Sequence, residues 1–71
     1  MILATFSSAH FDFVALAETE AEAADALLLA WTRHVEQTGA EPCMMAEAID
    51  DGDVNFTPIH VGAVLRDGSP L

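Results

Sequence analysis

At 71 residues the chain is long enough for one domain with a thin core, and its single cysteine excludes an internal disulfide. Twelve Asp and Glu stand against Arg33 and Arg66 with no lysine, a formal charge of -10; such a field excludes DNA, RNA and anionic membranes as direct ligands and attracts a basic partner. A hydrophobic fraction of 52% is too high for a disordered acidic segment, so the chain is expected to fold.

The opening MILATF has no basic region and no long apolar run before Ser7, Ser8 and His10, so neither a signal peptide nor an anchor is expected, and the protein is expected in the cytoplasm. Ile2 to Phe6 are apolar and β-compatible, Ser7-Ser8-Ala9 suits a turn, and His10 to Ala17 resumes with aromatic and branched residues, which predicts a β-hairpin. Alternation in the second strand groups Phe11, Phe13, Ala15 and Ala17 on one face and Asp12, Val14 and Leu16 on the other. Both faces are partly apolar and one helix covers only one of them, so Phe11 and Phe13 are a candidate dimer interface.

Thr19-Glu20-Ala21-Glu22 fits the capping box, in which the threonine hydroxyl accepts from a first-turn amide and the glutamate three residues later is expected to reach back. The helix it starts is expected to run to Gln37, with Gly39 as a left-handed C-terminal cap. At 100° per residue, Ala24, Leu27, Leu28, Trp31 and Val35 form the stripe expected to pack on the sheet. Glu22, Asp25, Arg33 and Glu36 form the opposite stripe, and Leu29 falls among them.

Glu41-Pro42 suits the opening of a short second helix over Cys43 to Ile49. Within it Cys43, beside Met44 and Met45, reads as a buried small hydrophobe. Asp50-Asp51-Gly52-Asp53 is a turn by composition. A strand is expected from Val54 to about His60, at an edge or bulged at Pro58, which has no N–H to donate. After Ala63 to Leu65, the segment Arg66 to Pro70 reads as an exposed turn and tail. The expected fold is one α+β domain over residues 1–71, a small antiparallel sheet in ββαβ outline with one long helix on a face.

Chemistry-bearing constellations are sparse. Asp50, Asp51 and Asp53 lack the alternate spacing and closing glutamate of a calcium loop, so a solvated turn is the plainer reading. His10, His34 and His60 stand at no ligand spacing, and Cys43 has no CxxC partner, so neither a metal nor a cofactor is expected. No nucleophile sits in a recognisable motif with an oriented base, and no glycine-rich phosphate loop precedes a helix; the chain is not expected to be an enzyme and no catalytic residue is assigned.

The carboxylates are different in kind. Glu18, Glu20, Glu22, Asp25 and Glu36 lie along one helix and its entry, with Arg33 as the one cation among them and Leu29 placed like an apolar anchor ringed by polar groups. A solvated helix face would normally carry both signs of charge. A row of carboxylates can instead stand in for a row of phosphates, and Asp50, Asp51 and Asp53 are expected to extend it. The expected partner is a basic protein surface.

In size, near absence of basic residues and hairpin-helix-strand plan, the chain resembles the short acidic proteins with which bacteriophages and mobile elements inhibit CRISPR-Cas and restriction systems, the type I anti-CRISPR proteins in particular. The resemblance spans the whole chain in size and charge and rests on no motif, so it assigns no residue a role. It implies stoichiometric binding to a CRISPR-Cas effector subunit in the bacterial host cytoplasm, obstructing the DNA channel or the site of protospacer recognition. The helix entry Thr19-Glu20-Ala21-Glu22-Ala23 is also similar to that of HicB-like antitoxins. The Asp-Gly strand-turn segment of that family is missing before the helix, and no DNA-binding portion is expected among these 71 residues. That second resemblance implies an antitoxin or a dimeric accessory interaction subunit.

Overall fold

The computed structural model describes residues 1–67 and 69–71. Its first element pair is set by a tight turn: the Ser8 amide donates to the Phe11 carbonyl at 2.8 Å, and the Ser8 hydroxyl both donates to that carbonyl and accepts from the Phe11 amide. The turn joins β1 (Ile2–Ser7) to β2 (Asp12–Ala17) in antiparallel register from Ser7↔Asp12 to Ile2↔Ala17. Strand β3 (Asn55–Pro58) pairs with the other edge of β1, from Ile2↔Pro58 to Thr5↔Asn55, giving a three-stranded sheet in the order β2-β1-β3. Pro58 lies on an edge strand, where its missing N–H breaks no ladder.

Period-two alternation sorts the sheet residues. Ala4 and Phe6 are buried under the long helix α1 (Glu20–Thr38), with Ile2, Phe13, Ala15 and Phe56 packed against the same core. The other face carries Leu3, Thr5, Val14 and Leu16, and there Val14 is 66% and Leu16 57% exposed. The apolar surface that α1 leaves uncovered is therefore that of Val14 and Leu16. Phe13, expected on an uncovered face, is half-buried beneath α1, its ring 5.5 Å from that of Trp31.

At the start of α1 the Thr19 hydroxyl accepts from the Glu22 amide at 3.2 Å, and at its end Gly39 adopts φ 70° and donates to the Val35 carbonyl at 2.8 Å. Both caps fall where the sequence places them, although of the expected capping box only the threonine half forms: the hydrogen bonds at this end do not include a return bond from the Glu22 carboxylate to the Thr19 amide. The buried stripe is Ala23, Leu27 and Trp31, with Ala24, His34 and Val35 half-buried at its margins. Leu28, expected in the stripe, is 37% exposed; a strict four-residue spacing through Ala23, Leu27 and Trp31 turns position 28 about 100° from its neighbour.

Helix α2 (Met44–Asp51) inserts Met45 and Ala48 into the core beside Trp31. It runs two residues further than expected, so Asp50 and Asp51 form its last turn, and the turn proper is Gly52-Asp53, with Gly52 at φ 79° donating to the Ala48 and Ile49 carbonyls. Cys43 stands before the helix as its N-cap residue and is exposed; the buried place goes to Met45. Val54 is buried ahead of β3, and the Ile59 amide donates to the Met1 carbonyl just beyond it. The segment expected as an exposed turn and tail is exposed in its described residues, with Asp67 in a turn at φ 52°, and in addition pairs β4 (Leu65–Arg66) with β5 (Ser69–Pro70); Gly68 lies outside the described residues.

Candidate functional site

The buried stripe of α1 fixes what its far side presents. Measured from Ala23, Leu27 and Trp31, the positions Glu22, Asp25, Leu29, Arg33 and Glu36 project roughly opposite, and all five are exposed. Leu29 is 60% exposed near the middle of this ridge. Glu22 and Glu36 lie on the order of 20 Å apart at 1.5 Å per residue. Glu18 and Glu20 are also exposed, but Glu18 precedes the cap and Glu20 falls on the sheet-side phase of the helix, so they flank its N-terminal end and do not lengthen the ridge. The carboxylates of Glu20 and Glu22 complement the amide-rich end of the helix; no basic residue complements the carbonyl end.

Asp51 and Asp53 do not extend that ridge. With Glu47 they border a groove of about 710 Å³ between the β1–β2 turn, α1 and α2. The α1 residues lining it, Trp31, His34 and Thr38, lie on the opposite side of the helix from Leu29. Because Met45 and Ala48 draw α2 into the core beside Trp31, the carboxylates of α2 face a different surface from those of α1. Asp50 is exposed and does not line the groove. The expected single row is two separate acidic surfaces.

The groove has an aromatic wall. The His34 ring sits 4.7 Å from that of Phe11, 5.2 Å from Phe13 and 4.8 Å from Trp31. The Trp31 indole is 3% exposed and its Nε1–H donates to the Glu41 carbonyl at 2.9 Å, so the edge facing the groove is held in place. Glu47 and Asp51, four residues apart on α2, stand one above the other on the opposite wall. Neither arginine lines the groove. Phe11, read from the sequence as dimer-facing, closes one side of it. The signal for this site was the spacing of Trp31 and His34 on one helix face with Glu47 and Asp51 on another; that these two faces meet is a tertiary fact.

Among the described residues no group of three His, Cys, Asp or Glu side chains could hold a metal ion, and no helix is long and apolar enough to cross a membrane. Comparison with known proteins finds no family model, curated protein or solved structure that matches the chain.

Proposed function

We propose that this protein acts by binding, as a stoichiometric inhibitor of a basic nucleic-acid-handling effector such as a type I CRISPR-Cas surveillance complex, and that its acidic surface blocks target DNA binding. The observation that carries this reading is Leu29, 60% exposed among Glu22, Asp25 and Glu36 on a helix whose other side is anchored in the core. Carboxylates on a rigid rod present negative charge at fixed spacing to lysine and arginine side chains that otherwise hold phosphates. The net charge of -10 speeds encounter with such a surface, and the leucine supplies the apolar contact that charge alone does not.

The test is a phage plaque assay in bacteria carrying type I CRISPR-Cas immunity. Wild-type protein is expected to restore plaques, the triple variant Glu22→Lys, Asp25→Lys, Glu36→Lys to fail, and the off-ridge pair Asp12→Lys, Glu41→Lys to retain most of the effect. Persistent immunity in every subtype, with wild-type protein expressed, removes the anti-CRISPR reading. A second reading, a dimeric accessory subunit or antitoxin, draws on the exposed Val14 and Leu16 beside the free edge of β2. Light scattering showing a monomer at high concentration counts against the dimer, and co-purification of a toxin favours the antitoxin.

A further inference from the structure

The groove between the hairpin turn and the two helices plays no part in the ridge-based reading, and its two walls differ in chemistry. One is aromatic, built from Phe11, Trp31 and His34; the other is acidic, built from Glu47, Asp51 and Asp53. We infer that this groove is a docking site for an extended peptide segment of a partner protein, one that places an arginine side chain between the aromatic and acidic walls.

Three features of the groove specify that occupant. The charge is one-sided: three carboxylates and no arginine line the groove, so a cationic group is favoured and an anionic one repelled. The exposed Phe11 ring and the half-buried His34 ring, backed by the buried Trp31, suit a planar guanidinium, which stacks on ring faces while its N–H fork reaches carboxylates; an ammonium offers the charge without the plane or the fork. The volume of about 710 Å³ lies within the range of sites that hold a small ligand or a few side chains, and is large for an arginine alone. Met44, Ala40 and Ala9 at its margins give apolar contact to the residues on either side. The placement of Asp51 points the same way. It lies in the last turn of α2, at the carbonyl end, where negative charge is unfavourable for the helix, and a guanidinium bound in the groove offsets that local conflict.

Trp31 is the one tryptophan in the chain, so its fluorescence and its indole N–H signal report on the groove directly. The probe is a blocked peptide of sequence Leu-Arg-Leu-Arg-Leu, titrated at moderate salt alongside versions with lysine, citrulline or glutamate in place of arginine. A saturable change at Trp31 is expected with arginine, weaker by several-fold with lysine and absent with citrulline and glutamate. The variant Glu47→Gln, Asp51→Asn is expected to weaken arginine-peptide binding about tenfold or more, whereas Glu22→Gln, Asp25→Asn removes the same charge from the ridge and leaves it within about twofold. Phe11→Ala, at an exposed ring, is expected to erase the preference for arginine over lysine. Equal weakening by the groove and ridge pairs would reduce the effect to general attraction between opposite charges and overturn the inference, as would the lack of any saturable change at Trp31. The peptide experiment does not depend on the effector proposed above: loss of plaque rescue with intact peptide binding removes that function and leaves the groove, and the reverse result does the opposite.

Discussion

The indole Nε1–H of Trp31 donates to the backbone carbonyl of Glu41 at 2.9 Å, tying the buried face of α1 to the loop that enters α2. The same ring packs against Phe6 at 6.1 Å and Phe13 at 5.5 Å, so one side chain joins the sheet, the long helix and the approach to the short one. In a chain this small, where a core supplies only a few kcal/mol of net stability, that junction is expected to decide whether the fold survives.

Trp31→Ala deletes the side chain that joins these layers. Such truncations cost about 3–5 kcal/mol, comparable with the whole stability expected of a domain of this size. The variant is expected to be largely unfolded by circular dichroism at 25 °C. Trp31→Phe retains most of the apolar area but removes the donor to the carbonyl of the exposed Glu41, for a cost of about 1 kcal/mol. Urea titration of the two variants separates the packing contribution from the hydrogen bond.

The ends of α1 offer a second check. Thr19→Ala removes the acceptor for the Glu22 amide and is expected to cost about 1 kcal/mol. At Gly39 a Cβ meets nothing within 4 Å, so the strain of Gly39→Ala comes from its φ of 70° alone, again about 1 kcal/mol. The two sites lie at opposite ends of a 19-residue helix and share no partner, so their effects should add in thermal melts of the double variant.

These caps were legible from the sequence because capping is local chemistry: Thr19 and Glu22 are three residues apart, and Gly39 acts on its own φ. The hairpin and the long helix were legible for similar reasons, whereas Pro58 allowed an edge or a bulge and the strand order β2-β1-β3 decides for the edge. The far side of the sheet was not. Phe13 and Val14 are both apolar, and β2 alternates without a polar face, so the sequence does not say which of them the helix covers; the pairing Phe6↔Phe13, with Phe6 beneath α1, decides it. The acidic site was half legible. The ridge follows from helical phase within α1, but the relation of Asp51 and Asp53 to it depends on how α2 packs, which Met45 and Ala48 set by entering the core.

Leu29 is expected to matter to binding and not to folding. Its side chain is mostly in water, and exposed positions away from caps and packing change stability by about 0.5 kcal/mol or less. Leu29→Ser should therefore melt close to the parent. If the ridge engages a basic effector with Leu29 as its apolar anchor, affinity should fall by about 2 kcal/mol, roughly 30-fold, with the loss chiefly in the off-rate. The ridge carboxylates act on the other rate: neutralising Asp25 should slow association and flatten its salt dependence. Surface plasmon resonance across a salt series distinguishes the two.

The last turn of α2 separates stability from binding most sharply. Asp50 and Asp51 both place a carboxylate at the carbonyl end of an eight-residue helix with no basic residue in its last turn. Converting either to asparagine relieves that repulsion and is expected to stabilise the fold by about 0.5 kcal/mol at low salt, less as salt rises. Of the two, Asp51 borders the groove and Asp50 does not. Asp50→Asn should thus raise the melting temperature and leave arginine-peptide binding unchanged, whereas Asp51→Asn should raise it by a similar amount and weaken the peptide. A stabilised Asp51→Asn variant that loses affinity cannot owe the loss to unfolding. It would mark a carboxylate kept at a helix end against the interest of the helix, for the sake of what binds there.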